Sequence, residues 1–134
     1  RLLLSDGSRK AVAVVRKRTA HLSQVKVRQA WLPAEWPDQP FDLIVFSELG
    51  YYLDAPALDL LAERMRASLL PRATLLACHW RQPIEGCALS GDDVHDRLAQ
   101  RLDLPRTCSY SDDDLRLDVW SPDTRSVAER EGFR

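Results

Sequence analysis

Leu43, Ile44, Val45 and Phe46 form an unbroken apolar run. Four residues are too few for a typical helix and these are rich in β-formers, so the run predicts a strand buried on both faces, as in a parallel sheet. It ends abruptly in Ser47 and Glu48. In an open α/β sheet, ligands bind beyond the carboxyl ends of the strands. A buried strand therefore carries a carboxylate to the end of the sheet where chemistry is expected.

The rest of the chain supplies the partners such a strand needs. Residues 2–4 read as a short strand closed by Ser5, Asp6, Gly7 and Ser8, with Ser8 placed to cap a helix. Ala11, Val12, Val15, Thr19 and Leu22 recur at helical spacing, and Arg9, Lys10, Arg16, Lys17 and Arg18 fall largely on the opposite, solvated side. Val25 and Val27 alternate with Lys26 and Arg28, the pattern of a half-exposed strand suited to a sheet edge. A loop with Trp31, Pro33, Trp36 and Pro37 precedes the central run.

After that run, Asp54 reads as an N-cap with Pro56 in the first turn. Leu58, Leu61, Met65 and Leu69 form a helical stripe that Pro71 is expected to stop. Residues 74–78 are a second buried strand. Ser90 and Asp93 resemble a capping box ahead of Val94, Leu98 and Leu102. Two alternating segments around the polar turn 111–114 predict a β-hairpin, and the charged tail beyond Pro122 reads as loose. Alternating strands and helices imply parallel pairing through right-handed crossovers, with the hairpin adding an antiparallel edge.

Composition narrows the classes of function. The chain has 134 residues, enough for one domain, and its 45% apolar content suits a globular protein. A net charge of -1 offers no basic field for general nucleic-acid binding. No apolar run is long enough to span a bilayer. Cys78, Cys87 and Cys108 form no CxxC pair, which favours a reduced, cytoplasmic protein. Cys78, His79, Cys87 and His95 match no common zinc spacing, so no metal is expected.

The stretch 41–53 (Phe-Asp-Leu-Ile-Val, then Ser-Glu, then Tyr-Tyr-Leu) and the Ser-Asp-Asp-Asp turn before the last strand carry a resemblance. The chain resembles the class I S-adenosylmethionine-dependent methyltransferases, and within them is similar to the nodulation protein S type. The resemblance implies a Rossmann-like α/β fold, mostly parallel with a C-terminal antiparallel hairpin. It makes residues 2–4 the second strand of that fold and residues 41–46 the fourth. The first strand and its glycine-rich loop have no counterpart in the chain, which starts at Arg1 without an initiator methionine. Residues 1–134 are therefore expected to be a single, N-terminally incomplete methyltransferase domain, since the absent strand would pair with both the second and the fourth.

The resemblance also implies roles. Asp6, ending the second strand, falls where the family binds the ribose hydroxyls, with Gly7 beside it. Ala30, Trp31 and Leu32 fall in the loop that holds the adenine. The family's usual acid is absent there, leaving stacking by Trp31 or its backbone amide. Ser47 and Glu48 fall near the methionine end of S-adenosylmethionine, the implied cofactor.

Methyl transfer asks an enzyme mainly to position the nucleophile and set its protonation state. Glu48, Tyr51 and His79 are the catalytic candidates because all lie at or just beyond strand ends, and His79 is a candidate general base. Trp80 either walls the substrate cleft or simply packs. The loop 81–91 would form the substrate mouth, with Glu85 or Asp92 attracting an ammonium group. The expected reaction is methyl transfer to a small polar acceptor, an amine of a glycan or similar metabolite, with no nucleic-acid or membrane partner. A nicotinamide-dependent Rossmann enzyme and a non-catalytic interaction fragment are the alternatives; the terminal hairpin argues against the first.

Overall fold

The computed structural model describes residues 1–134, and the chain falls into two compact units, Arg1–Pro37 and Asp38–Arg134. The sequence leads to the expectation of a single domain. The division falls in the proline-containing loop because the two strands before it hydrogen-bond only to each other.

In the first unit, β1 (Leu2–Asp6) and β2 (Val25–Gln29) run parallel, with Leu4 opposite Val27 and Asp6 opposite Gln29. Helix α1 (Arg9–Thr19) connects them. Ser8 caps it as expected: its Oγ accepts from the Ala11 N–H at 3.3 Å, while Asp6 Oδ1 accepts from the Ser8 N–H at 2.6 Å. Arg16, Lys17 and Arg18 occupy the last turn, where cations complement the helix dipole. Val12 is buried and Val15 half-buried. Leu22, expected on the same helical stripe, lies beyond the helix in a turn closed by its N–H on the Thr19 carbonyl.

The second unit is a four-stranded sheet in the order β3 (Phe41–Ser47), β4 (Leu69–Trp80), β6 (Leu115–Trp120), β5 (Arg106–Ser111). β3 and β4 are parallel; β6 runs antiparallel to both β4 and β5. Helices α2 (Ala55–Ala67) and α3 (Gly91–Leu102) pack on each other, and α3 packs on β4 and β6. Leu58, Leu61, Met65, Val94, Leu98 and Leu102 are buried there, together with Leu75, Ala77 and Trp120 from the sheet. The result is the α/β architecture expected, with its parallel pairs and its C-terminal antiparallel hairpin. β1 and β3 lie in separate sheets, and each has one strand partner.

Three details differ from the sequence reading. β3 is buried on one face only: Ile44 and Phe46 are buried, but Leu43 is 53% and Val45 60% exposed. Successive side chains of a strand point to opposite faces, and the helices of this unit cover one of them. Second, α2 stops at Ala67, where the Ser68 hydroxyl donates to the Arg64 and Met65 carbonyls. Leu69 opens β4, and Pro71 lies inside the strand, where pairing jumps from Phe41↔Leu69 to Leu43↔Thr74. A proline has no N–H to give a ladder, so an interruption is where a strand tolerates one. Third, the tail forms a short helix, α4 (Val127–Arg130), under a Ser126/Glu129 capping box.

The Ser90/Asp93 capping box forms as expected, and it seats α3 against the end of β4. Gly91 permits the approach: a Cβ there would lie 2.0 Å from the Trp80 carbonyl oxygen. Gly91→Ala should therefore push backbone against backbone and lower stability by about 1–3 kcal/mol. A shift of the urea midpoint at unchanged slope would register it.

Candidate active site

Beyond β3 the chain turns sharply. Glu48 adopts a left-handed conformation with φ 54°, which disfavours a residue with a Cβ by about 1–2 kcal/mol. Three bonds hold it there. Its N–H donates to the Cys78 carbonyl at 3.0 Å, its Oε1 accepts from the Trp80 N–H at 2.9 Å, and its Oε2 accepts from the Tyr51 hydroxyl. The carboxylate thus straps the exit of β3 to the exit of β4. Tyr51 lies in a 3-10 turn, Gly50–Tyr52, and is buried. Burial, then the bond to Glu48 and the negative charge of that group, hold the Tyr51 pKa well above the usual phenol value. Its hydroxyl therefore stays protonated at neutral pH and donates to Glu48. Ser47 and Glu48 are both exposed at this strand end.

His79 sits one residue before the end of β4 and is fully buried. Its Nε2 accepts from the Gly50 N–H at 3.1 Å, and its Nδ1 lies 3.2 Å from His95 Nε2. His95 Nδ1 lies 2.7 Å from Asp118 Oδ2. The ring of His79 is flanked edge-on by Phe46 and Tyr51. Burial, then the neighbouring His95, push the His79 pKa down to about 3. Burial also lowers that of His95, against the opposing pull of Asp118. Burial raises the Asp118 pKa, but its hydrogen bonds and the charge of Arg116 outweigh this, so the carboxyl stays ionised. The general-base role expected for His79 does not fit this geometry. Its accepting nitrogen is taken by Gly50 and its ring meets no solvent.

The mouth differs too. Arg81 grips Asp92 with Nε and Nη2 at 3.0–3.2 Å, and Arg116 Nη1 reaches the same carboxylate at 3.5 Å. Asp92 is thus neutralised rather than available to an ammonium group, while Glu85 remains exposed. Arg81 also donates to the Asp112 carbonyl, tying the loop to the β5–β6 turn.

In the first unit, the carboxyl ends of β1 and β2 bring Asp6, Gly7, Ala30 and Trp31 together. The Ala30 N–H donates to the Asp6 carbonyl at 3.0 Å, and Gln29 Nε2 donates to the Gly7 carbonyl at 2.9 Å. A Cβ on Gly7 would lie 3.3 Å from the Trp31 ring, which is 66% exposed. Ala30 is buried and Leu32 half-buried. The Trp31 amide, expected to be open to a ligand, donates to Glu35 Oε2 at 2.6 Å. Glu35 thus returns an acid to a loop whose sequence lacked one at the expected position. The sequence brought in His95 only as a rejected metal ligand and did not single out Asp118. Asp118 falls in the alternation of β6 at a place that reads as solvent-facing, and nothing in the spacing pairs it with a histidine 23 residues away.

Among solved structures, a candidate methyltransferase of Pseudomonas syringae is 44% identical to this chain, with a TM-score of 0.77, covering 89% of this chain and 71% of its own. The chain belongs to the class I S-adenosylmethionine-dependent methyltransferases. More distant members share the fold. The N-methyltransferase NodS of Bradyrhizobium japonicum WM9, in complex with S-adenosyl-L-homocysteine, is 21% identical with a TM-score of 0.78 over 92% of this chain and 67% of its own. The glycopeptide N-methyltransferase MtfA, complexed with S-adenosyl-L-methionine, is 15% identical with a TM-score of 0.67 over 87% and 70%. No family profile and no curated protein matches the chain. No helix of this methyltransferase is long and apolar enough to cross a membrane.

The buried histidines make stability acid-sensitive. Both have pKa values lowered by folding, so below about pH 6.5, the ordinary histidine value, the unfolded chain binds more protons. Their contribution is whole above that pH and is lost as pH falls toward the folded value of His79, about 3. Between pH 6 and 5, stability should fall by up to about 1.4 kcal/mol per pH unit on account of His79, with His95 acting in the same direction. Urea unfolding at stepped pH should show that slope, and His79→Gln should remove the part due to His79.

Proposed function

We propose that this chain binds S-adenosylmethionine and methylates a small polar acceptor, an amine in the reading favoured here. The observation that carries it is the Glu48 carboxylate, held in a left-handed turn at the carboxyl end of a parallel strand and bonded to a protonated Tyr51. The residues suit the cofactor's parts. Asp6 is an exposed carboxylate at a strand end, able to accept ribose hydroxyls while one oxygen holds the Ser8 N–H. Trp31 offers an exposed aromatic face to a base, over the bare backbone of Gly7, with Ala30 and Leu32 beside it. Ser47 and Glu48 are assigned to the methionine end.

When bound, the cofactor supplies an activated methyl group on a sulfonium sulfur. The chain's own work is to orient the acceptor and manage its proton. Glu48 is the group placed to attract an ammonium and take up its proton, and Tyr51 fixes the direction of that carboxylate. NodS and MtfA are N-methyltransferases, which supports nitrogen as the methylated atom. The match to the Pseudomonas syringae protein extends over 89% of the chain, which supports reading both compact units as parts of one incomplete domain. Three free thiols suit a reduced, cytoplasmic setting.

Calorimetric titration of S-adenosylhomocysteine into the chain tests the cofactor assignment. One-site, micromolar binding is expected. Asp6→Ala should weaken it by about tenfold or more, since hydrogen bonds to a charged group contribute roughly 1.5–3 kcal/mol each. A folded chain that gives no heat of binding would reject the assignment. With small amines as acceptors, Glu48→Gln should lower turnover by about a hundredfold. Unchanged turnover would remove Glu48 from the chemistry.

A further inference from the structure

Asp118, His95 and His79 are buried ionisable groups that the proposed chemistry does not use. Their protons can be placed one by one. The Gly50 amide can only donate, so His79 Nε2 must present its lone pair. A neutral His79 then carries its proton on Nδ1 and donates to His95 Nε2. His95 in turn carries its proton on Nδ1 and donates to Asp118 Oδ2. The carboxylate that ends the chain of bonds also accepts from Arg116 Nε at 3.0 Å and lies 3.4 Å from Arg106 Nη1. Every bond therefore points the same way, from Gly50 to Asp118. The other tautomer of either ring would set donor against donor.

The Gly50 end has no slack. A Cβ on Gly50 would lie 2.4 Å from Val94 Cγ1 and 3.1 Å from His79 Nε2, so the backbone of the turn is wedged between α3 and the imidazole. Glu48 and Tyr51 flank that glycine in sequence. We propose that the Asp118–His95–His79 relay is a positioning device: by locking the His79 tautomer it holds the Gly50 amide, and with it the turn that presents Glu48 and Tyr51. This inference rests on the reading that those two residues serve the reaction. All three relay residues are fully buried, so they act through the turn and not by contact with substrate.

The charged and titratable groups around the relay come from every element packed on it. Tyr51, bonded to Glu48, faces His79 from the 3-10 turn. Asp92 on α3 and Arg116 on β6 act on His95. Arg106 on β5 reaches Asp118. A second proton on His79 would turn Nε2 into a donor aimed at the Gly50 N–H, so acid is expected to release the turn.

Two substitutions separate positioning from packing. A glutamine at 79 places its amide near the Nε2 position and keeps an acceptor for Gly50. An asparagine reaches only the Nδ1 position, keeping the link to His95 but leaving Gly50 without a partner. In the full chain, the His79→Gln variant should retain Gly50 amide protection in hydrogen exchange. The His79→Asn variant should lose it by about tenfold, as expected for one hydrogen bond. The Tyr51 hydroxyl proton should follow the same pattern. Ring-nitrogen spectra of the unsubstituted chain should show both histidines with the proton on Nδ1. Equal loss of protection in the two variants, or an Nε2–H tautomer in either ring, would overturn the proposal. S-adenosylhomocysteine binding in the same samples reports separately on the functional reading. Loss of that binding with the Gly50 pattern intact would reject the function and leave the relay geometry standing.

Discussion

The ionised carboxylate of Asp118, buried under α3, is the group on which the second unit is organised. A charge out of contact with water is tolerated only when it is paired and hydrogen-bonded. Here Arg116 and Arg106 supply the opposite charge and His95 a short hydrogen bond. Satisfying that one group recruits β5, β6 and α3. Passing the bond on through His79 recruits β4 and the turn after β3. Few apolar contacts are so demanding, because packing tolerates a sliding side chain whereas a relay of directed bonds does not. The pairing of β4 with β6, which sets Ala77 opposite Asp118 and Arg116 opposite His79, is the register in which these groups meet.

The same constraint explains how an exposed carboxylate comes to be held in a strained conformation. Glu48 would relax if the strand end were free. It does not, because Gly50 two residues later is wedged between Val94 and His79, and because the Trp80 amide at the end of β4 bonds its side chain. Backbone strain of this kind persists only where the surroundings over-determine it, and such places concentrate at functional sites. The Arg81–Asp92–Arg116 cluster braces the neighbouring loop, so charged groups that look available in sequence are already spent on one another.

Much of the fold was legible because local rules decide local structure. Ser8, Asp54 and Ser90 announced three helix starts, since a side-chain acceptor before an amphipathic run has few other uses. The hairpin was legible from alternation around a polar turn. Two elements were misread for reasons of the same physical kind. An apolar run predicts a strand but not how many of its faces are covered, which is why Leu43 and Val45 are exposed. Pro71 reads as a helix stop, but an irregular ladder also accommodates a proline, and here the helix had already ended at Ala67.

By itself the sequence determined the order of strands and helices, the caps, the family resemblance, and the placing of Asp6 and Glu48 at strand ends, because each depends on neighbours close in the chain. The tertiary structure alone decided what His79 does, whether Asp92 is open to a ligand, and where the Trp31 amide points. Those outcomes depend on partners brought in by folding: His95 and Asp118 for the first, Arg81 and Arg116 for the second, and for the third the return of Glu35 onto its own turn. A histidine at the end of a strand reads as a base until the donor that occupies its lone pair is known, and that donor, the amide of Gly50, lies 29 residues away in the chain.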